Sequence, residues 1–263
     1  MKIHLSLIGM GAGHPDHITR QGVAALQRAQ LVLVPRKGAD KADKADLADL
    51  RLALCRELLP EGAATIAPFD MPVREGADTD YLGAVDRWHD AIAQVWLDTI
   101  ARHLPAGGEV ALLVWGDPSL YDSTLRIARR LAPRVDLTTT VVPGITALQA
   151  LTAAHAIPLN DINAPVLITT GRQLRERGWP DSADTVAVML DGQCAFQTLD
   201  PAGLHIWWGA YLGLPHQLCI SGPLAEAGPA ILRERAQARA RHGWLMDTYL
   251  LRRAPDKETS HAH

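Results

Sequence analysis

Three strand patterns in the first half of the chain, one alternating before an apolar pair, one wholly apolar and one threonine-rich, each end on a glycine turn. Leu5-Ser6-Leu7-Ile8 runs into Gly9-Met10-Gly11-Ala12-Gly13-His14-Pro15-Asp16, Val110 to Val114 into Trp115-Gly116-Asp117-Pro118, and Leu137 to Val142 into Pro143-Gly144-Ile145-Thr146. A short run without polar alternation is what a strand buried on both faces requires, and such strands belong to parallel sheets covered by helices. Helical patterns lie between the runs. Thr19 to Gln30 carries Val23, Ala24, Leu26 and Ala29 on one face, with Thr19 placed to cap it. Tyr81 to Leu104 carries Leu82, Val85, Trp88, Ile92, Val95, Trp96 and Ile100 at spacings of three and four, which reads the two tryptophans as core. With Leu31 to Val34 as a second strand and a loop and strand over Pro60 to Pro72, strands and helices alternate. The fold class is therefore α/β, with a mostly parallel first sheet.

Pro158 to Pro165 is the expected boundary, giving an N-terminal α/β domain over 1–157. A second α/β domain over 165–253 has a mixed sheet built from Val166–Thr169, Thr185–Leu190, His205–Trp208, Leu218–Ile220 and a last strand over Gly243–Leu251, with a helix over Leu224–Ala240. Residues 254–263 read as a tail. Length and composition agree: 263 residues, 48% apolar and 21% charged, supply enough apolar material for a sizeable core.

A net charge of −3 offers no electrostatic footprint for nucleic acid or an anionic membrane. No apolar run reaches a membrane span, and the N-terminus lacks the apolar length of a signal peptide. Cys55, Cys194 and Cys219 are far apart and odd in number, so they read as reduced thiols of a cytoplasmic protein. No metal-ligand spacing occurs among the histidines; His261 and His263 fall in the tail. The K-A-D repeat between residues 41 and 46 reads as a solvated loop.

The first turn is not a dinucleotide fingerprint. It runs G-x-G-x-G, position 14 is His, and the second strand ends in Val34-Pro35-Arg36-Lys37 without an acid for a ribose. No P-loop lysine and no nucleophile elbow appear. Taken singly, the second turn reads as a type I turn and the third as a helix start.

The three turns in this order and spacing resemble the tetrapyrrole methylases, the class III S-adenosylmethionine-dependent methyltransferases. Gly9 through Thr19, Gly116-Asp117-Pro118 after the third strand, and Val142 through Ala147 carry the resemblance. It implies two α/β domains with S-adenosylmethionine as cofactor folded between them, and a homodimer. Trp115, Gly116, Asp117, Leu120, Thr146 and Ala147 would meet the cofactor from the first domain, and Leu190, Gly209 and Ala210 from the second. Many relatives carry Gly where this chain has Trp115. The first turn, with Gly11 and Gly13, would line the substrate side.

The insert from Phe69 to Trp96, Trp207 through Gly213 and Trp244 through Arg253 point further, to a cobalamin-pathway methylase. The resemblance implies the tetrapyrrole precorrin-5 as substrate, methylation at C-1 and release of the C-20 acetyl group as acetate. Acetate loss needs water and a general base, for which His14, Asp16 and Tyr121 are the candidates. Arg36, Arg74 and Arg172 are candidates for the substrate's carboxylates. On this reading Asp117→Ala weakens donor binding far more than stability. A sister enzyme acting at another ring carbon, or a non-catalytic binder of the same fold, would carry the same turns.

Overall fold

The computed structural model describes residues 1–36, 46–73 and 81–253. Arg74, the K-A-D repeat and the tail from residue 254 lie outside these residues.

Five strands, β1 (Lys2–Gly9), β2 (Leu31–Arg36), β3 (Thr65–Asp70), β4 (Gly107–Val114) and β5 (Asp136–Val142), form one sheet in the order β3-β2-β4-β1-β5. Every pairing in it is parallel. The apolar runs bury both faces. Ile3, Leu5, Leu7, Leu33 and Leu112 meet Ile92, Trp96 and Ile100 of α3 (Tyr81–His103) and Ile127 and Leu131 of α4 (Thr124–Leu131). Ile8, Val32, Val34, Ala111 and Leu113 meet Ala25 and Leu26 of α1 (Arg20–Arg28) and Leu54 and Cys55 of α2 (Asp46–Leu58). Thr19 caps α1 through its hydroxyl, which accepts the Gly22 N–H at 3.0 Å. Trp96 is fully in the core, and Trp88 packs beside it with its indole N–H on the Pro72 carbonyl at 2.8 Å.

The Gly116-Asp117-Pro118 turn follows the fourth strand and not the third. β3, which the sequence shows only as a strand within a longer loop, takes a full place at the sheet edge.

The second sheet is mixed, as expected. β6 (Val166–Thr170), β7 (Thr185–Met189), β8 (Leu204–Ala210), β9 (Leu218–Pro223) and β10 (Asp247–Arg253) lie in the order β6-β7-β10-β8-β9. β6 and β7 are parallel, whereas β10 runs antiparallel to both β7 and β8. β7 and β8 therefore end at the same edge. α5 (Ala147–His155), α6 (Gly171–Arg177) and α7 (Leu224–His242) complete this part. Gly243 opens no strand. It closes α7 in a left-handed conformation, with φ +71° and its N–H on the Arg239 carbonyl at 2.8 Å, and the strand starts at Asp247.

The chain divides into two units, the first ending at Thr146 and the second beginning at Ala147. That division lies one helix ahead of the Pro158–Pro165 stretch, because α5 packs within the second unit. A Cβ on Gly209 would strike Leu151, and the His155 imidazole bonds the Trp208 carbonyl at 3.0 Å. The cysteines are free thiols, Cys55 and Cys194 buried and Cys219 exposed. Among the described residues no helix is long and apolar enough to cross a membrane.

Candidate functional site

The three glycine turns close the carboxyl ends of β4, β1 and β5, which are neighbours in the first sheet. In open α/β sheets this edge is where ligands gather.

The turns interlock through main chain. Gly11 and Gly116 form an antiparallel bridge, with Gly116 N–H on Gly11 O at 2.8 Å and Gly11 N–H on Gly116 O at 3.3 Å. A methyl on Gly144 would stand 2.1 Å from Gly116 O and 2.7 Å from Gly9 Cα, and one on Gly9 would stand 2.5 Å from Gly144 N. Glycine at positions 9 and 144 thus answers to the neighbouring backbone. Gly116 differs. It has φ +65°, and a Cβ there would find nothing nearer than Thr146 Cα at 3.8 Å. The conformation favours glycine, and a Cβ there would make only ordinary contact with Thr146 and Ile145.

Asp117 fastens two of the turns. One carboxylate oxygen accepts the Gly144 N–H at 2.8 Å; the other accepts both the N–H (2.7 Å) and the hydroxyl of Ser119. Burial pushes this carboxyl up, yet the bonds from the Ser119 hydroxyl, Gly144 N–H and Ser119 N–H outweigh it and hold the group below its ordinary range. Beside it, Leu120 donates its N–H to the Asp117 carbonyl at 3.3 Å, and Trp115 packs against the core on the α1 and α2 face. Thr146 and Ala147 follow the third turn, both half-buried.

Tyr121 has the left-handed φ of +49° and is 43% exposed. What burial it has raises its phenol above the ordinary value, so at neutral pH it offers an O–H and not a base. In the first turn the exposed His14 spends its Nδ1 lone pair on the Asp16 N–H at 3.1 Å, and Asp16 lies in solvent. The sequence reading passed over His17. Gly11 has φ +85°, and a Cβ on it would collide with that of His17 at 2.1 Å. The His17 Nδ1 is buried without a partner; burial and His14 lower its pKa against the pull of Asp16, so the ring is neutral. Gly13 completes this turn at φ +144°. Arg36 ends β2 and pairs with Asp70 at 3.6 Å, both exposed.

In the second unit, Leu190 follows β7 and Gly209 and Ala210 end β8, at one edge of the mixed sheet. Leu190 is 67% exposed with φ +54°, a costly conformation for a leucine. Ala210 is fully buried, and Gly209 is buried against Leu212 and Leu151. Arg172 lies on α6, paired with Glu176 at 3.3 Å.

Beneath Leu190 sits a group the sequence reading missed, although Asp191-Gly192 is a turn signal. The buried Asp191 carboxylate accepts from Tyr249 OH at 2.7 Å, from Arg175 at 3.2 Å, from Gln193 N–H at 3.1 Å and from Ala195 N–H. The Asp191 carbonyl takes Arg235 Nη2 at 3.0 Å, and Arg235 in turn holds Asp247, which also receives the Trp208 indole N–H at 2.9 Å. The ends of β7, β8 and β10 are thereby locked in one network.

A sequence profile of the tetrapyrrole (corrin/porphyrin) methylases matches residues 4–228. The chain belongs to this family. Among its relatives, this methylase is 45% identical to the precorrin-6A synthase [deacetylating] of Sinorhizobium sp. over 252 residues, 95% of each chain. A crystal structure of a protein described as cobalamin synthesis related (CobF), from Corynebacterium diphtheriae, superposes with a TM-score of 0.80 at 37% identity. It covers 96% of this chain and 99% of its own. The fold is also that of a uroporphyrin-III C-methyl transferase from Thermus thermophilus complexed with S-adenyl homocysteine. There the TM-score is 0.56 at 17% identity, over 94% of this methylase and 96% of the other.

Proposed function

We propose that this methylase is a precorrin-6A synthase of the deacetylating type. It transfers a methyl group from S-adenosylmethionine to C-1 of precorrin-5 and releases the C-20 acetyl group as acetate in cobalamin biosynthesis. One observation carries the reading: the 45% identity to the Sinorhizobium enzyme extends over 95% of both chains, so it includes the turns, the insert and the second unit alike.

The residues present suit the donor. Gly116 brings bare main chain to the carboxyl edge of the first sheet, and Leu190 of the second unit exposes an apolar side chain. When bound, S-adenosylmethionine supplies an already activated methyl group, so the protein's task is alignment and exclusion of water. Trp115, Gly116, Asp117, Leu120 and Thr146 carry that alignment in the first unit, and Ala147, Leu190, Gly209 and Ala210 in the second. Asp117 acts mainly by fixing the spacing of its turn and the Gly144 turn. Gly11 and Gly13 shape the substrate side. Acetate loss consumes one water: its oxygen bonds the acetyl carbon, its proton passes to the base, and the electron pair of the broken carbon–carbon bond stays in the conjugated ring, where it balances the methyl group gained. Among His14, Asp16 and Tyr121, the proton on Tyr121 and the engaged Nδ1 of His14 leave Asp16 with the freest lone pairs for that water. The reading carries with it a homodimer acting in the cytoplasm.

The test is incubation of the purified protein with precorrin-5 and donor labelled in its methyl group. The expected result is one labelled methyl and one acetate per turnover. A methylated product without acetate would make it a sister enzyme of another ring position, and donor binding without turnover on any precorrin would make it a binder.

A further inference from the structure

At the carboxyl edge of the first sheet, β2 and β4 part. Their pairing ends at Leu33↔Leu112, yet β2 continues beside β3 to Arg36↔Asp70, and β4 continues beside β1 to Val114↔Gly9. The carbonyl of Leu113 is left at the mouth of this fork without a β2 partner. Arg51 of α2 reaches it: Nε donates to Leu113 O at 2.9 Å, and Nη1 donates to Leu47 O at 3.3 Å.

A guanidinium has five N–H donors and no acceptor. These two bonds leave three N–H groups without a protein acceptor among the described residues. Among those residues, too, no carboxylate stands at ion-pair distance from Arg51. Burial lowers its pKa to about 10, offset only in part by attraction to Asp122 and the Cys55 thiol. Asp122 attracts it without forming an ion pair; its Oδ1 accepts the N–H of Thr124 at 2.6 Å and the Thr124 hydroxyl. Arg51 is still a cation at neutral pH, a desolvated one with no carboxylate in contact among the described residues.

We propose that Arg51 anchors a carboxylate of the tetrapyrrole substrate, with its unpaired N–H groups presented in the β2/β4 fork beside the Gly116–Pro118 turn. The inference rests on the reading that the substrate is a polycarboxylate tetrapyrrole. The planar fork of a guanidinium matches a carboxylate in geometry as well as charge. The position matches too. β4 bears the second glycine turn, so the cation borders the edge at which all three turns end. Of the candidate arginines among the described residues, Arg36 lies at this edge but pairs with Asp70, and Arg172 pairs with Glu176. Plugging the Leu113 carbonyl needs a single N–H, so it does not account for a full guanidinium at this place.

The test compares wild type with Arg51→Gln, which keeps an N–H donor but loses the charge, and with Arg51→Lys, which keeps the charge but loses the planar fork. Three quantities are measured: KM for precorrin-5, kcat, and Kd for S-adenosylhomocysteine. Arg51→Gln is expected to raise KM at least about tenfold, with kcat within about threefold and the Kd unchanged. Arg51→Lys is expected to raise KM about threefold or more. An unchanged KM in Arg51→Gln overturns the proposal, whatever the melting temperature does. Should that variant not fold, an unchanged KM in Arg51→Lys overturns it equally. If wild type does not turn over precorrin-5 at all, the functional reading fails first, and titration with uroporphyrin III, an octacarboxylate, takes over. Weaker binding by the Arg51 variants then keeps the anchor, and equal binding sinks it.

Discussion

Replacing Asp117 by Asn tests the fastening of the turns with almost no change of shape. As a carboxylate the group accepts three hydrogen bonds, one from Gly144 and two from Ser119. An amide has one oxygen and one NH2. If the oxygen stays on Ser119, the NH2 faces the Gly144 N–H; if it flips, the NH2 faces the Ser119 N–H. Either way a bond to an ionised acceptor is lost and a backbone donor is set against another donor. Hydrogen bonds to charged groups contribute about 1.5–3 kcal/mol each, and a half-buried site belongs at the lower end. A loss of about 2 kcal/mol corresponds to a fall of about 4–8 °C in Tm for a unit of this size. The carboxyl is held below its unfolded value, so its stabilisation is complete above the ordinary aspartate range and disappears as pH falls through the folded value. Urea unfolding followed by tryptophan fluorescence should therefore give a wild-type-minus-variant difference that is flat from about pH 8 to pH 5 and shrinks only in more acid solution. The Kd for S-adenosylhomocysteine should rise in the same variant. A Tm within about 1 °C of wild type, or a difference that changes between about pH 5 and 8, would refute the reasoning. The expectation that this aspartate affects donor binding far more than stability is thus revised: with both oxygens spent inside the fold, stability and affinity fall together.

Further outcomes follow from the same geometry. Gly144→Ala places a methyl 2.1 Å from Gly116 O, a backbone atom that cannot swing aside, and should cost about 3 kcal/mol or more, read as collapse of the cooperative melt. Leu190→Gly relieves a left-handed leucine but loosens the unfolded chain, so stability should stay within about 0.5 kcal/mol while the Kd for S-adenosylhomocysteine rises about tenfold; an unchanged Kd would remove Leu190 from the donor site. Asp191→Ala strands Tyr249, Arg175 and two backbone N–H groups in a closed site and should cost about 3–5 kcal/mol in urea unfolding.

The strands were legible because parallel strands buried on both faces must be continuous apolar runs, and Leu31–Val34 and Val110–Val114 are such runs. β3 was harder to count, since Pro68 and Ala67 interrupt the pattern of an edge strand. The division ahead of α5 was not legible, because it depends on Leu151 and His155 packing on the second sheet. At the site, the glycines stood out by spacing, but not the reason for them. The partner of Asp117 lies 27 residues away on another strand end, and no local pattern announces that pairing. Nothing in the local sequence marks Arg51 out. Only the divergence of two strands, a fact of register, sets it apart. The left-handed backbone of Leu190 had no signal at all.

Gly9, Gly116 and Gly144 abut with no side chain between them, so the loops they belong to cannot drift separately. Evolution has little freedom to retouch such a joint one residue at a time. Changes of regiochemistry would accordingly have to come from the periphery: the cleft between diverging strands and side chains overhanging the edge. An engineer wishing to redirect this catalyst to a different ring carbon should leave the hinge-pins alone and remodel that surround.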